Sequence, residues 1–365
     1  MVNKLDLLVT LWPSFKHFRR FALDPAVQGV RLNSAKLATS EIDREVELAR
    51  SLPGSAPLFF DVKARQPRIV EVLPNRRQLE VRLNHPVSME PGHLPADVVL
   101  KGGADVARLA GLSEGGRRLT FDRNPRFAVT AGESLCIRAP HWIEGPVFTD
   151  VELEKVAKVR AAGITRYFLS YVERQSDIDE FRELVGQDAE VWLKIENERG
   201  LDFVADGFVK DDRTTLVAAR GDLYVELDRP HEIANALKII IERDPRACVA
   251  SRILLSVVDK AAATETLWKY TDSKGNVFFL PQFDPLGPTS PYTGEPVLAA
   301  PVKTYLNDNS KVACNPVPSC ADFLELDWLH AVGYRRFMLC DEMCLREDLL
   351  DAAVGAFKAW RRTVG

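Results

Sequence analysis

The chain has 365 residues, which is enough for one large domain and a smaller one. Hydrophobic residues make up 46% of it and charged residues 27%, which is ordinary for a globular protein. The formal net charge of −4 argues against a general nucleic-acid binder, because such a protein would carry a basic face. No apolar run approaches the roughly 20 residues of a membrane span, and residues 1–6 do not begin a signal peptide, so we expect a cytoplasmic protein with no membrane partner.

Strand and helix signals alternate in the first part of the chain. Short apolar runs predict strands at residues 7–10, 29–33 and 57–61, and a capped amphipathic segment predicts a helix at residues 39–51. The alternation then stops. From residue 69 to residue 142, short alternating runs separated by proline and glycine predict a small all-β domain inserted into an α/β domain.

The alternation of strands and helices resumes with a capped helix start at Thr149. Further strands are predicted at residues 167–171, 191–195, 214–219, 248–251 and 335–339, and helices at residues 231–242 and 346–361. Eight strands with intervening helices predict a (β/α)8 TIM barrel. Its parts would be residues 1–68 and 143–365, with residues 69–142 as a β-barrel-like domain inserted after strand three.

A long insertion follows the seventh predicted strand, at residues 259–315. It contains a hairpin-like piece at residues 268–279, with Lys274-Gly275-Asn276 as the turn, and then a proline-rich stretch at residues 281–288. Loops of this length are often lids or binding loops. The sequence leaves two alternatives open, a lid over the active face and a surface or oligomerisation arm.

Charged side chains follow two neighbouring predicted strands. Lys194 and Glu196 are two residues apart and therefore share one face of a strand, and Asp222 follows the next strand. A cation beside two carboxylates can hold a divalent metal together with an anionic substrate, since Mg²⁺ takes one or two protein carboxylates and leaves room for substrate oxygens. The alternative is a pair of structural salt bridges at the strand ends.

Six motifs stand in order along the chain. They are Arg31-Leu32-Asn33, Asp61-Val62-Lys63 with Arg68, Lys194-Ile195-Glu196-Asn197, Gly221-Asp222-Leu223, Ala250-Ser251-Arg252 and Met338-Leu339-Cys340-Asp341-Glu342. With a β-domain inserted after strand three, this order resembles the pyruvate kinase family. The resemblance covers nearly the whole chain except residues 259–315, and it implies that the family's C-terminal regulatory domain is absent.

The resemblance also implies roles for individual residues. Lys194, Arg31 and Ser251 would be catalytic, and Arg68, Gly221, Asp222 and Ser251 would bind the substrate. Glu196 and Asp222 would hold Mg²⁺ or Mn²⁺, and Asn33 and Asp61 would lie where the family holds a monovalent cation. The implied reaction is the glycolytic transfer of a phosphoryl group between phosphoenolpyruvate and ADP, and a homodimer through the barrel is implied as well.

Several positions depart from the family's pattern. Ala35 and Lys36 replace Ser-His, and a lysine there can supply positive charge without a monovalent ion. Trp12 and Tyr224 replace glycines, and the stretch at residues 132–140 has lost its lysine. The metal and phosphate positions are therefore retained, whereas the nucleotide positions are not.

Three hypotheses follow from this asymmetry. The first is a short pyruvate kinase-like enzyme that uses ADP. The second is a diverged lyase, aldolase or transferase that keeps metal-assisted enolate chemistry on phosphoenolpyruvate or a 2-oxo acid with a different acceptor. The third is a non-catalytic relative that binds a small phosphorylated acid or a partner protein, and retention of Lys194, Glu196 and Asp222 argues against it.

Overall fold

The computed structural model describes residues 5–73, 78–100, 103, 105–123, 125, 129–259, 264–274, 277–280, 297–305 and 312–364. These residues divide into two compact units. The first unit contains residues 5–65, 147–259 and 312–364. The second contains the described residues between 66 and 146 and between 260 and 311.

The first unit is built on a closed barrel of eight strands in sequential order. The strands are Asp6–Thr10, Val27–Asn33, Leu58–Val62, Arg166–Leu169, Glu190–Ile195, Thr214–Ala219, Cys248–Ala250 and Arg336–Met338. The first strand pairs in parallel with both the second and the eighth, which closes the sheet. The predicted TIM barrel is confirmed, and each predicted strand overlaps an observed one.

Helices separate the strands and cover the barrel. They are Phe18–Ala22, Ile42–Arg50, Asp150–Ala161, Gln175–Val185, Glu198–Asp206, Arg220–Glu226, Ile233–Arg243, Cys320–Val332, Asp341–Cys344 and Glu347–Val364. The side chain of Thr149 accepts a hydrogen bond from the backbone N–H of Glu152 at 3.3 Å, which caps the helix predicted there. None of the helices in the described part of the chain combines the length and apolarity needed to cross a membrane.

The barrel interior is filled by large side chains from neighbouring strands. Phe59, Phe168 and Trp192 pack together, with ring centroids 5.0–5.4 Å apart. Gly29 on the second strand makes room for them, because a Cβ atom there would lie 2.8 Å from the ring of Phe59. This packed interior leaves the polar side chains to gather at the ends of the strands.

The second unit contains an antiparallel six-stranded sheet, as the sequence predicts for this region. In spatial order its strands are Cys136–Ile137, Ala96–Leu100, Asp105–Ser113, Arg118–Arg123, Glu80–Leu83 and Ile69–Leu73. Backbone hydrogen bonds link Ile69 to Gly132 and Glu133, just before the opposite edge strand. The two edges of the sheet thus approach each other. A further pair, Val87–Ser88 with Trp142–Ile143, accompanies the sheet.

Residues 260–311 contain a three-stranded antiparallel sheet of Val277–Leu280, Thr264–Thr271 and Leu298–Tyr305. The first two strands form the hairpin predicted at residues 268–279. Gly275 and Asn276 of its predicted turn, and the proline-rich stretch at residues 281–288, lie outside the described residues. Where this segment leaves and rejoins the barrel unit, Val258–Asp259 pairs with Ala313–Cys314 in a short antiparallel ladder.

Candidate active site

The carboxyl ends of the barrel strands bring together most of the charged residues that the sequence singles out. Arg31 and Asn33 end the second strand, Asp61 lies near the end of the third, and Lys194 lies near the end of the fifth. Parallel strands of a closed barrel present these ends on one rim, which is where barrel enzymes place their chemistry.

Asp61 is the anionic centre of this rim. Its side chain is fully buried, and its Oδ2 accepts hydrogen bonds from Arg31 Nε at 2.8 Å and Lys63 Nζ at 2.7 Å. Its Oδ1 accepts a hydrogen bond from the Ser170 hydroxyl at 3.2 Å. Burial by itself would raise the pKa of Asp61, but the positive charges of Arg31, Lys194 and Lys63 hold that pKa well below its usual range. Asp61 is therefore ionised.

Lys194 and Glu196 form a buried ion pair beside Asp61. Lys194 Nζ lies 2.7 Å from Glu196 Oε1, 3.8 Å from Asp61 Oδ2 and 3.1 Å from the Ser170 hydroxyl oxygen, to which it donates. Burial would lower the pKa of Lys194, yet the carboxylates of Asp61 and Glu196 outweigh burial and raise it. Lys194 is therefore a protonated cation, which can stabilise negative charge and cannot act as a base.

Glu196 is held from a second side by the backbone. Its Oε2 accepts a hydrogen bond from the N–H of Tyr171 at 2.8 Å, and Tyr171 adopts a left-handed conformation with φ of 51°. Burial raises the pKa of Glu196, and the nearby negative charge of Asp222 raises it further. The two carboxylates therefore repel each other. A divalent cation bound between them would reduce that repulsion, and carboxylate oxygens are the ligands that such a cation prefers.

Ser251 and Gly221 meet at the ends of the sixth and seventh strands. A Cβ atom on Gly221 would lie 3.3 Å from the Ser251 Cβ and 3.4 Å from its hydroxyl oxygen, so a larger residue would crowd the Ser251 side chain. Ser251 has φ of 67°, a conformation rare for residues other than glycine. Arg220 stabilises it, since Nη2 donates to the Ser251 carbonyl at 2.8 Å while the guanidinium also pairs with Glu325.

Asp341 joins the rim from the last strand, and its role was not predicted. Oδ1 accepts a hydrogen bond from Arg31 Nη1 at 3.0 Å, and Oδ2 accepts one from the Asn33 amide at 2.9 Å. Lys36 Nζ lies 2.9 Å from the same oxygen. Ser170 and Tyr171, which also lacked a predicted role, follow the fourth strand directly. The signal that could have found all three was their position at the end of a predicted strand or just after it.

The predicted cation ligands Asn33 and Asp61 are engaged by protein groups. Asn33 Oδ1 accepts the Ala35 N–H at 3.2 Å and its amide donates to Asp341, while Asp61 holds Arg31 and Lys63. A monovalent cation at these two residues stays a prediction. Lys36 contributes an ammonium group nearby, in keeping with the substitution noted in the sequence.

Arg68, predicted to bind substrate, belongs to the second unit and makes its contacts there. Its Nη1 donates to the Gly132 carbonyl at 3.0 Å, and its backbone N–H donates to Asn84 Oδ1 at 2.8 Å. A hydrogen bond also joins its guanidinium to Gln66.

Glu196 and Asp222 fit a Mg²⁺ or Mn²⁺ ion that completes its coordination with substrate oxygens. Among the residues that the structure describes, no group of three or more His, Cys, Asp or Glu side chains is arranged to hold a metal. A purely protein-built metal cage is thus not present in that part of the chain. An ion shared between two carboxylates and a substrate remains compatible with the rim.

Comparison with known proteins supports the family suggested by the motifs. No protein-family model matches the chain. A pyruvate kinase of Thermoplasma acidophilum is 25% identical over 285 residues, which covers 72% of this chain and 50% of that protein. The chain therefore spans about half the length of the curated relative it matches. At this level of identity, the match supports a pyruvate kinase-like relationship as a distant homologue.

Proposed function

We propose that this chain is a magnesium- or manganese-dependent, pyruvate kinase-like enzyme that acts on phosphoenolpyruvate and the enolate of pyruvate, with phosphoryl transfer to ADP. The observation that carries the proposal is the buried Lys194–Glu196 pair, 2.7 Å apart, with Asp222 beside it at the carboxyl ends of the strands. A structural salt bridge alone gives no reason to add the like charge of Asp222, because that charge raises the pKa of Glu196 and opposes its ionisation.

The side chains of the rim suggest distinct tasks. When bound, a divalent cation at Glu196 and Asp222 would supply the positive charge that draws the substrate's carboxylate and phosphoryl oxygens together. Lys194, which stays protonated, stabilises negative charge on the transferred group, as phosphoryl transfer depends mainly on positioning and electrostatics. The backbone at Gly221 lies beside the Ser251 hydroxyl, and that hydroxyl is the candidate to deliver a proton to the enol carbon.

A second candidate retains the enolate chemistry but uses another acceptor in place of ADP. Two observations favour it. Trp12, at the position of a glycine in the family's motif, is a buried ring that packs against Phe15 with centroids 5.5 Å apart. Arg31, which would contact phosphate, is already paired with Asp341.

A coupled assay distinguishes the two candidates. Pyruvate formation from phosphoenolpyruvate, Mg²⁺ and ADP is expected for the kinase, and Glu196→Gln should abolish it. If pyruvate is not formed, the second candidate predicts Mn²⁺-dependent exchange of the methyl protons of pyruvate in D₂O, lost in the same variant. Absence of both activities, with Mn²⁺ binding unchanged in Glu196→Gln, would contradict both candidates and favour a non-catalytic relative. Substrate binding by Arg68 stays a proposal, which Arg68→Gln tests through KM.

A further inference from the structure

We propose that Asp341 is a specificity-determining residue, whose carboxylate occupies an anion position formed by Arg31, Asn33 and Lys36 and so makes the site prefer an unphosphorylated 2-oxo acid to its phosphate ester. This inference deepens the second candidate of the proposed function, which retains enolate chemistry without ADP, and it rests on that function only in naming the ligand class. The hydrogen bonds and ion pairs that support it are all made between residues of this chain.

The first observation is that three donors converge on one carboxylate. A guanidinium, an amide and an ammonium group lie 2.9–3.0 Å from the two oxygens of Asp341. Such a combination of planar and point-charge donors is the kind that binds phosphate or carboxylate ligands. Here the anion is supplied by the chain, from the helix Asp341–Cys344 after the last strand.

The second observation concerns the hydrogen bonds of Arg31. A guanidinium has five N–H donors, and Arg31 makes four hydrogen bonds, two to Asp61, one to Thr10 and one to Asp341. A phosphoryl group gripped by two parallel N–H donors must therefore displace one of these partners. Asp61 has no exposed side-chain surface and is also held by Lys63, whereas Asp341 is 11% exposed. Asp341 is the partner that a ligand would displace.

The third observation is the charge balance of the rim. Four cations, Arg31, Lys36, Lys63 and Lys194, face four carboxylates, Asp61, Glu196, Asp222 and Asp341. With a divalent cation these groups would carry +2, and removal of the Asp341 charge would raise that sum to +3. Phosphoenolpyruvate carries about −3, since a phosphate monoester contributes nearly two negative charges and the carboxylate one. Without Asp341 the cluster would suit that higher charge.

Asp341 is ionised throughout the physiological range. Burial would raise its pKa, but Arg31 and Lys36 lower it to about 2. The competition between this carboxylate and an incoming phosphate is therefore present at any pH at which the phosphate is charged.

Calorimetric titration of the full-length protein tests the proposal, with inorganic phosphate as the probe because phosphate binding requires no enolate chemistry. Asp341→Asn should lower the Kd for phosphate and for phosphoenolpyruvate at least tenfold, while the Kd for pyruvate with Mn²⁺ changes less than threefold. Glu80→Gln is the matched control, since it removes a buried carboxylate that pairs with another arginine, Arg118, in the second unit, and it should leave phosphate binding unchanged.

If the proposal is right, the gain in phosphate affinity in Asp341→Asn depends on Arg31. In an Arg31→Gln background, Asp341→Asn should give less than a threefold gain, and an undiminished tenfold gain there would show general charge removal and overturn the proposal. An unchanged phosphate Kd in a folded Asp341→Asn protein would overturn it as well, and Asp341→Gly serves if the asparagine variant does not fold. If phosphate binds more tightly but neither phosphoenolpyruvate nor pyruvate binds to any variant, Asp341 still occupies an anion position, whereas the preference for a 2-oxo acid and the proposed function are both overturned.

Discussion

Replacing Asp61 by asparagine should destabilise the barrel unit by about 3 kcal/mol. The substitution keeps the shape of the side chain but removes the one carboxylate that Arg31, Lys63 and Lys194 share. Removing one partner of a buried ion pair costs about 3–5 kcal/mol, because the remaining charges stay buried without compensation. The amide oxygen of asparagine can still accept a hydrogen bond, which favours the lower end of that range.

Thermal unfolding followed by circular dichroism measures this effect. For a unit of this size a loss of about 3 kcal/mol lowers Tm by roughly 6–12 °C. Asp348→Asn is the control, because the Asp348–Arg346 pair has side chains 50% and 27% exposed, and such surface pairs contribute at most about 1 kcal/mol. If the two variants melted within 2 °C of each other, Asp61 would not be the electrostatic centre of the rim.

The same residue predicts a dependence on pH. The pKa of Asp61 is lower in the folded protein than the ordinary value of 3.8, so its stabilising contribution is complete above that ordinary value. It is lost as pH falls below it toward the folded-state pKa. Wild-type stability should therefore fall more steeply below pH 4 than the stability of Asp61→Asn, and parallel acid-unfolding curves would contradict this assignment.

The remaining predictions concern the site. Glu196→Gln should weaken Mn²⁺ binding at least tenfold in electron paramagnetic resonance titrations. Burial raises the pKa of Glu196 above the ordinary carboxyl value of 4.5. As pH is lowered, the Mn²⁺ affinity of the wild-type protein should therefore begin to fall while the pH is still above 4.5. A fall that begins only below pH 4.5 would refute the reasoning. Lys194→Gln should lower kcat by about 10²–10³-fold with a smaller change in KM, as for loss of one charge-stabilising group, and an unchanged kcat would exclude the role. Gly221→Ala should reduce turnover, because the added Cβ atom would lie 3.3 Å from the Cβ of Ser251. Gly355→Ala is the control, because Gly355 lies in a helix and an added Cβ atom there would meet no other atom within 4 Å. This control should leave turnover unchanged and raise the free energy of unfolding by about 0.5–1 kcal/mol.

The strands of the barrel were predictable because each is a short apolar run. Such a run indicates a buried strand from its own residues alone, without knowledge of the strands that pair with it. Residues 214–219, for example, are buried at every position and form the predicted strand without a shift. The charged pair Lys194 and Glu196 was predictable for the same reason, since strand alternation alone puts both on one face.

The partners of Arg31 were not predictable from local pattern. Arg31 and Asp341 are 310 residues apart in the chain and meet only because the barrel closes between its first and eighth strands. The strand Leu298–Tyr305 was missed for a related reason, as its pairing with Thr264–Thr271 spans a long connection and leaves little local signature. Contacts set by closure or by distant pairing are the part that sequence periodicity does not encode.

The ladder between Val258–Asp259 and Ala313–Cys314 has a consequence for how this chain can vary. Paired antiparallel residues lie about 5 Å apart, so the 260–311 segment leaves and re-enters the barrel unit at almost one point. A segment attached in this way can be lengthened, replaced or cut back to a tight turn with little strain on the barrel, because closing a longer loop costs only slightly more entropy. The barrel unit can therefore accept a different sequence between residues 259 and 313 without a change in its own strands.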